Sequence, residues 1–388
     1  MNEKPRVLLL SASSGAGHVR AAQALEKAFA SRGDCAVEHV DVIQHVSRVF
    51  QRVYDKAYIS MVRRAPELMG VLYDRTDRPW EKMRRRLFVD RLNTQPMIRM
   101  LKRVQPDLCI ATHFLPAEII AWLIAKKKLR TRNAIVVTDY DVHAMWLCRT
   151  VNRYYVAIPE AAEYLAGIGV PREIIRVTGI PVDPLFAIPV EKTAARKHLS
   201  LDPAATIILI AAGGYGIGPV EQLVRDLLAL NRPWQIVAIA GKSEDVKKKL
   251  DAVAASAGNL PPGSLSGEEQ RSAPRLVPVG FTKEMDQYMA AADLLVGKAG
   301  GLTTSEALAR ALPMALIEPI PGQEERNADH LLEEGAAIRC NNLPAAAWKI
   351  AGLLDDTARF ARMKDAARKL GRSSAAANIA AEALKLLD

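Results

Sequence analysis

Apolar residues along this chain gather into short unbroken runs, set between longer stretches of helical period. Strand-like runs lie at 6 to 10, 36 to 40, 107 to 112, 134 to 138 and 153 to 157, with helical stretches such as 21 to 31 and 116 to 127 between them. A second series starts at TIILIAAGG (206 to 214). It continues through WQIVAIAG (234 to 241), RLVPVGF (275 to 281), DLLVGKAGG (293 to 301) and PMALIEP (313 to 319). Alternation of this kind predicts parallel sheets covered by helices on both faces. The segment VTGIPVDPLFAIPV (177 to 190), with Pro181, Pro184 and Pro189, breaks the alternation and reads as a linker. The expectation is an α/β protein of two Rossmann-like, doubly wound domains, residues 1–180 and 181–388, facing across a cleft where the strands end. A last helix, striped by Ala377, Ile379, Ala380, Leu384 and Leu387, packs across domains or within one. The stretch 253 to 274, rich in Ser, Gly and Pro, reads as a flexible loop.

Composition agrees with this division. At 388 residues, 49% of them hydrophobic, the chain has enough apolar surface for two cores. Its longest uncharged stretch, Pro203 to Val220, is broken by Gly213, Gly214, Gly216, Gly218 and Pro219, so it reads as a strand and a glycine loop rather than a membrane span. The opening residues, MNEKPRVLLL, run directly into a strand pattern without a signal-peptide arrangement, and a cytoplasmic protein is expected. Cys35, Cys109, Cys148 and Cys340 form no CxxC pair, which supports neither a disulfide framework nor a zinc site.

The net charge of +10 is concentrated in one place. From His45 to Arg103 there are 15 Lys and Arg against 6 Asp and Glu, and the rest of the chain is nearly balanced. The same segment holds Phe50, Tyr54, Tyr58, Met61, Leu68, Leu72, Tyr73, Trp80 and Phe88 at roughly helical spacing. An anionic bilayer suits such a surface. Solvated faces of ordinary amphipathic helices are the plainer reading, and KMRRRLF tracking phosphates is a third. Membrane association is the expectation adopted, and no nucleic acid partner is expected.

Three stretches carry candidate chemistry. SASSGAGHVRAA (11 to 22) links the first strand to a helix through Gly15, Gly17 and His18. Arg20 stands where a dinucleotide fingerprint needs glycine, and an acidic residue such as Asp41 is by itself common. VVTDYDVHAMW (136 to 146) ends another strand with Asp139, Asp141, His143 and Trp146. In VGKAGGLTTSEALARALPMALIEPIPGQEERNADHL (296 to 331), Gly300 and Gly301 allow close backbone approach, and a helix is expected to start near Thr303. Its free amides and positive dipole end suit phosphate, with Lys298 adding a charge. Glu306 has two readings: an acceptor for ribose hydroxyls, or the distal half of a Thr303-x-x-Glu306 capping box.

SSGAGHVRAAQAL, together with GFTKEMDQYMAAADLLVGKAGGLTTSEALARALPMALIEPIPGQEERNA, resembles the monogalactosyldiacylglycerol synthase and processive diacylglycerol glucosyltransferase family over roughly residues 6 to 340. That family is related to the lipid II–forming N-acetylglucosaminyltransferase. The resemblance implies a GT-B fold and an inverting transfer of a hexose-type sugar from a UDP-sugar to a lipid hydroxyl, diacylglycerol or a related glycolipid. It implies no catalytic metal and no cofactor beyond the donor, at the inner face of the membrane. Glu306 becomes the ribose carboxylate and the backbone at Phe281 a uracil contact. Lys298, Gly300, Gly301, Thr303 and Thr304 line the diphosphate, and Gln323, Glu324 and Asn327 flank the sugar. Gly15, Gly17 and Gly214 approach the donor, and His18 or Asp139 is the base. His143, Trp146, Trp80, Arg84, Arg85 and Arg86 serve acceptor and membrane. The Asp139-x-Asp141 pair invites a metal-dependent reading, which a GT-B site does not require because dipole, amides and Lys298 offset the leaving-group charge. Ala299 replaces the family's usual proline, and Tyr215 stands where small residues approach the nucleotide. The alternatives are a UDP-sugar transferase or epimerase using a polyprenyl or soluble acceptor, and a non-catalytic UDP-sugar sensor.

Overall fold

The structure, a computed structural model, describes residues 4–13, 15–46, 66–81, 93–211, 219–256 and 275–388. Arg84, Arg85, Arg86, Gly214 and Tyr215 lie outside the described residues, as does most of the 253 to 274 stretch.

Two parallel sheets of six strands form the two halves. The first contains β1 (Arg6–Ser11), β2 (Ala36–Asp41), β3 (Leu108–Ala111), β4 (Arg132–Val136), β5 (Arg153–Val156) and β6 (Ile175–Val177) in the order β2-β1-β3-β4-β5-β6. The second contains β7 (Thr206–Ala211), β8 (Trp234–Ile239), β9 (Arg275–Val279), β10 (Leu294–Gly297), β11 (Met314–Ile317) and β12 (Ala337–Cys340) in the order β12-β11-β10-β7-β8-β9. Burial on both faces explains the unbroken apolar runs: every residue of β3, β8, β10 and β11 is buried. β6 and β12 were not anticipated, being three and four residues long and beside proline, glycine or charge.

Strand order reverses between β1 and β3 in one sheet and between β7 and β10 in the other. Crevices open at such reversals, beyond the carboxyl ends of the strands. The GAGH loop follows β1 and Lys298 to Gly301 follow β10, so the two crevices hold residues singled out by sequence, and Thr112, which follows β3, joins the first of them.

The chain crosses between halves twice. The first crossing runs from β6 through the turn Pro184–Ala187 to the helix Lys192–His198. The second returns the terminal helix Ala375–Leu384 to the first half, where Ala376, Ile379, Ala380 and Ala383 share a core with Leu25 and Phe29 of the helix Ala16–Arg32. Among the described residues, no helix is long and apolar enough to cross a membrane. All four cysteines are buried and unbridged.

Candidate functional site

The helix Ala16–Arg32 begins inside the GAGH motif, with Gly15 as its extended N-cap, so His18 falls in the first turn. Its ring lies 2.9 Å from both the Thr112 carbonyl oxygen and Thr138 Oγ1, each measured from Nδ1. A carbonyl only accepts, so Nδ1 carries the hydrogen and Nε2 keeps a lone pair. Burial lowers the His18 pKa to about 4 against the raising effect of the Thr112 bond, and the ring is neutral at neutral pH. His113 meets it edge-on at 4.7 Å between ring centres.

Asp139 lies in the loop just beyond β4 and is buried. Its Oδ1 accepts from Gln323 Nε2 at 2.6 Å and from Asn327 Nδ2 at 3.3 Å, both on the helix Gln323–Glu333 of the other half. Burial outweighs these bonds and pushes the carboxyl up to about 6. Asn327 is fully buried and bridges the halves: its Oδ1 accepts from the Tyr140 backbone N–H at 2.8 Å, and its Nδ2 also donates to the Ala299 carbonyl at 3.1 Å. Gln323 therefore donates its amide N–H to the first half, and Asn327 divides its amide between the two halves.

The helix after β10 starts at Gly301, with Gly300 as N-cap and no side-chain cap. This corrects the expected start near Thr303 and removes the capping-box reading of Glu306, which sits a turn and a half inside the helix. Gly301 is required for a different reason: a Cβ there would lie 2.1 Å from the Thr138 carbonyl oxygen, so the second half's helix abuts the first half's backbone. Gly17 faces Leu302 across the same seam, its Cβ position 3.7 Å from the Leu302 Cβ.

Glu306 is buried, and its Oε1 pairs with Arg20 of the first half. Its Oε2 is buried with no hydrogen-bond partner. Burial pushes this carboxyl up to about 7, opposed chiefly by Arg20. Thr304 Oγ1, in the turn before it, is also buried and unpartnered, whereas Thr303 is half-buried. Lys298 is half-buried and acts electrostatically on Glu324, whose Oε2 accepts from the Ile320 N–H at 2.8 Å. Phe281 is exposed beyond β9, with Lys242 Nζ 5.7 Å from its ring centre.

The expected acceptor residues are drawn inward. His143 donates from Nε2 to the Tyr73 carbonyl at 2.9 Å and accepts at Nδ1 from the Met145 N–H at 3.1 Å, so it braces the helix Pro66–Thr76. Trp146 is buried with its ring 6.3 Å from His18. The Trp80 indole donates to the Ile168 carbonyl at 2.7 Å.

Sequence reasoning missed Arg20, Thr138, Tyr73 and Arg326. Tyr73 packs on Gly322, whose φ of +88° excludes a Cβ that would approach the ring to 2.7 Å. Arg326 stacks on the same ring at 5.0 Å and binds Asp77 and Asp141, each at 2.7 Å, so this helix is tied to the PGQE segment of the second half. The polar pattern QEERNA was a signal for Arg326. Nothing local distinguished Tyr73.

Two facing Rossmann-like halves with these strand-end crevices define the GT-B fold. Residues 18–182 match the family model Monogalactosyldiacylglycerol (MGDG) synthase. Residues 207–382 match the Glycosyltransferase family 28 C-terminal domain. The chain is 27% identical over 371 residues, 94% of its length, to the processive diacylglycerol beta-glucosyltransferase of Staphylococcus saprophyticus, covering 88% of that protein. Among solved structures it is similar to MurG of Acinetobacter baumannii, with a TM-score of 0.62 and 17% identity across 98% of this chain and 99% of that one. It is also similar to MnaA of Staphylococcus aureus in complex with UDP, with a TM-score of 0.59 and 13% identity across 97% and 94% of the two chains. The chain thus joins a monogalactosyldiacylglycerol synthase domain to a family 28 glycosyltransferase C-terminal domain, the two domains of a UDP-sugar glycosyltransferase, and is similar over most of its length to processive diacylglycerol glucosyltransferases.

Proposed function

We propose that this protein transfers a hexose, with inversion, from a UDP-sugar to the hydroxyl of diacylglycerol at a membrane surface. One observation carries the donor half of this reading: the buried, unpartnered Oε2 of Glu306. A dry carboxylate oxygen is costly unless a donor reaches it, and a ribose supplies two hydroxyl donors. The helix that bears it begins with uncapped amides beside Lys298, where a diphosphate gains from dipole, N–H groups and charge together.

The acceptor reading rests on the similarity to diacylglycerol glucosyltransferases and on the surface around the helix Pro66–Thr76. Leu68, Val71 and Leu72 are exposed on that helix at the spacing of one face. Basic residues dominate the surrounding segment, a combination suited to an anionic interface. Because the helix's Tyr73 also packs on Gly322, a lipid held there sits against the sugar side of the cleft.

Single displacement accounts for inversion. His18, neutral and with its Nε2 lone pair unspent, takes the proton of the acceptor hydroxyl as that oxygen attacks the anomeric carbon opposite UDP. Asp139 is the second candidate, favoured by its greater basicity at about 6. The β-glucoside named in the activity of the staphylococcal relative is the product that inversion yields from an α-linked UDP-glucose. Neighbours of this fold include UDP-N-acetylglucosamine 2-epimerases, so the test must report the product itself.

The decisive experiment offers a panel of UDP-sugars with mixed vesicles containing diacylglycerol and anionic lipid, then weighs the lipid products. A hexosyl-diacylglycerol is the expected product. Sugar turnover without lipid, or an epimerised UDP-sugar, would overturn the assignment.

A further inference from the structure

The ion pair between Arg20 and Glu306 is unequal. The Glu306 side chain is 2% exposed and that of Arg20 is 40% exposed, so the carboxylate is fixed and the guanidinium is the partner able to leave. Arg20 engages Oε1 alone, which leaves Oε2 unanswered in a dry setting. Thr304 Oγ1 on the same helix is equally unanswered. Buried polar atoms are costly without partners, so this cluster calls for hydrogen-bond donors and acceptors that the protein itself does not supply. Glu306 stands five residues beyond Gly301 in the helix, about 7.5 Å along its axis at the α-helical rise. A cation resting on Glu306 is thus one side-chain swing from the uncapped amides at the helix start.

We propose that Arg20 exchanges partners when the donor binds. In the structure it pairs with Glu306; when ribose hydroxyls take that carboxylate, its guanidinium moves to the diphosphate at the start of the helix Gly301–Ala309. This rests on the UDP-sugar reading above and adds a first-half residue to a donor site otherwise built from the second half. The chemistry matches at both ends of the swing. A guanidinium fork binds a carboxylate or two phosphate oxygens with the same planar geometry. The ribose hydroxyls are neutral donors that satisfy Oε1 and Oε2 together, which one guanidinium nitrogen does not. Arg20 lies two residues past His18 on one helix, so its move ties the helix bearing the base to the phosphates of the leaving group.

Calorimetry with two ligands separates the two ends of the exchange, because uridine has the ribose and lacks the phosphates. The proteins are wild type, Arg20→Met and Arg20→Lys, each checked for folding by thermal unfolding. Arg20→Met should weaken UDP binding about tenfold or more, the range of a charged hydrogen bond, while uridine binds as well as before or better. Arg20→Lys keeps the charge without the fork and should recover part of the UDP affinity. Equal weakening of UDP and uridine, or UDP affinity unchanged in Arg20→Met, overturns the exchange. A wild-type protein that binds neither ligand overturns the UDP-sugar reading itself, a failure distinguishable from the first.

Discussion

The carbonyl oxygen of Thr138 and the α-carbon of Gly301 meet so closely that a Cβ on the latter would stand 2.1 Å from the oxygen. Each residue ends the approach of one half to the other: Thr138 also holds His18, and Gly301 starts the helix bearing Glu306. The seam therefore sets the distance between the proposed base and the proposed nucleotide site.

Gly301→Ala should hold the halves apart by about an ångström at this seam. Misplacement of that size costs roughly a hundredfold in rate. Turnover should fall by about that factor, alongside a stability loss of about 1–3 kcal/mol from overpacking the seam, too small to unfold the protein at assay temperature. A variant with wild-type turnover would mean that the closed seam is not the reacting arrangement.

Asn327→Ala should act mainly on stability. It strips partners from the Tyr140 N–H, the Ala299 carbonyl and Asp139 at once, all at a buried seam. Each orphaned group costs about 1–3 kcal/mol, so chemical unfolding should register a loss of at least a few kcal/mol.

Glu306→Gln should do the reverse. Its carboxyl is pushed up to about 7 by burial, which means that ionising it in place is unfavourable near neutral pH. Removing that charge leaves thermal stability unchanged or raised, while UDP affinity drops. A stability loss with intact UDP binding would refute the ribose role.

The pH dependence of kcat/KM follows from the same groups. His18, at about 4, is already unprotonated throughout the neutral range. Asp139 and Glu306, at about 6 and about 7, are protonated as pH falls through those values, and their ionised forms are the useful ones. Activity should therefore decline on the acid side between about pH 7 and 6, well above the His18 value. His18→Ala should lower turnover about 10² to 10⁴-fold, the span of general base catalysis, while preserving that limb and UDP binding. Rate measurements across pH on both proteins test this. A limb that vanishes with His18 would reassign it.

Most of the architecture was legible along the chain. Uninterrupted apolar runs such as VLLL in β1 and IVAI in β8 fit strands buried on both faces, and prolines at 181, 184 and 189 marked the crossing. β12 escaped because four residues with an arginine among them carry too little period. The helix start at Gly301 was displaced by two residues because Thr303 offered a plausible cap. The real N-cap, Gly300, has no side chain with which to announce itself.

What the sequence determined by itself is the set of local groups: strands from apolar runs, glycines where a backbone must pass close, and His18, Asp139 and Glu306 at strand ends or just beyond. Local periodicity and side-chain chemistry suffice for that, since each depends on neighbours within a turn or a pleat. Which groups meet was decided only by the tertiary structure. Arg20 and Glu306 are 286 positions apart, and Arg326 and Asp77 are 249 apart. Burial, and with it every shifted pKa in the cleft, arises from packing between segments distant in sequence, an interaction that leaves no period in the chain.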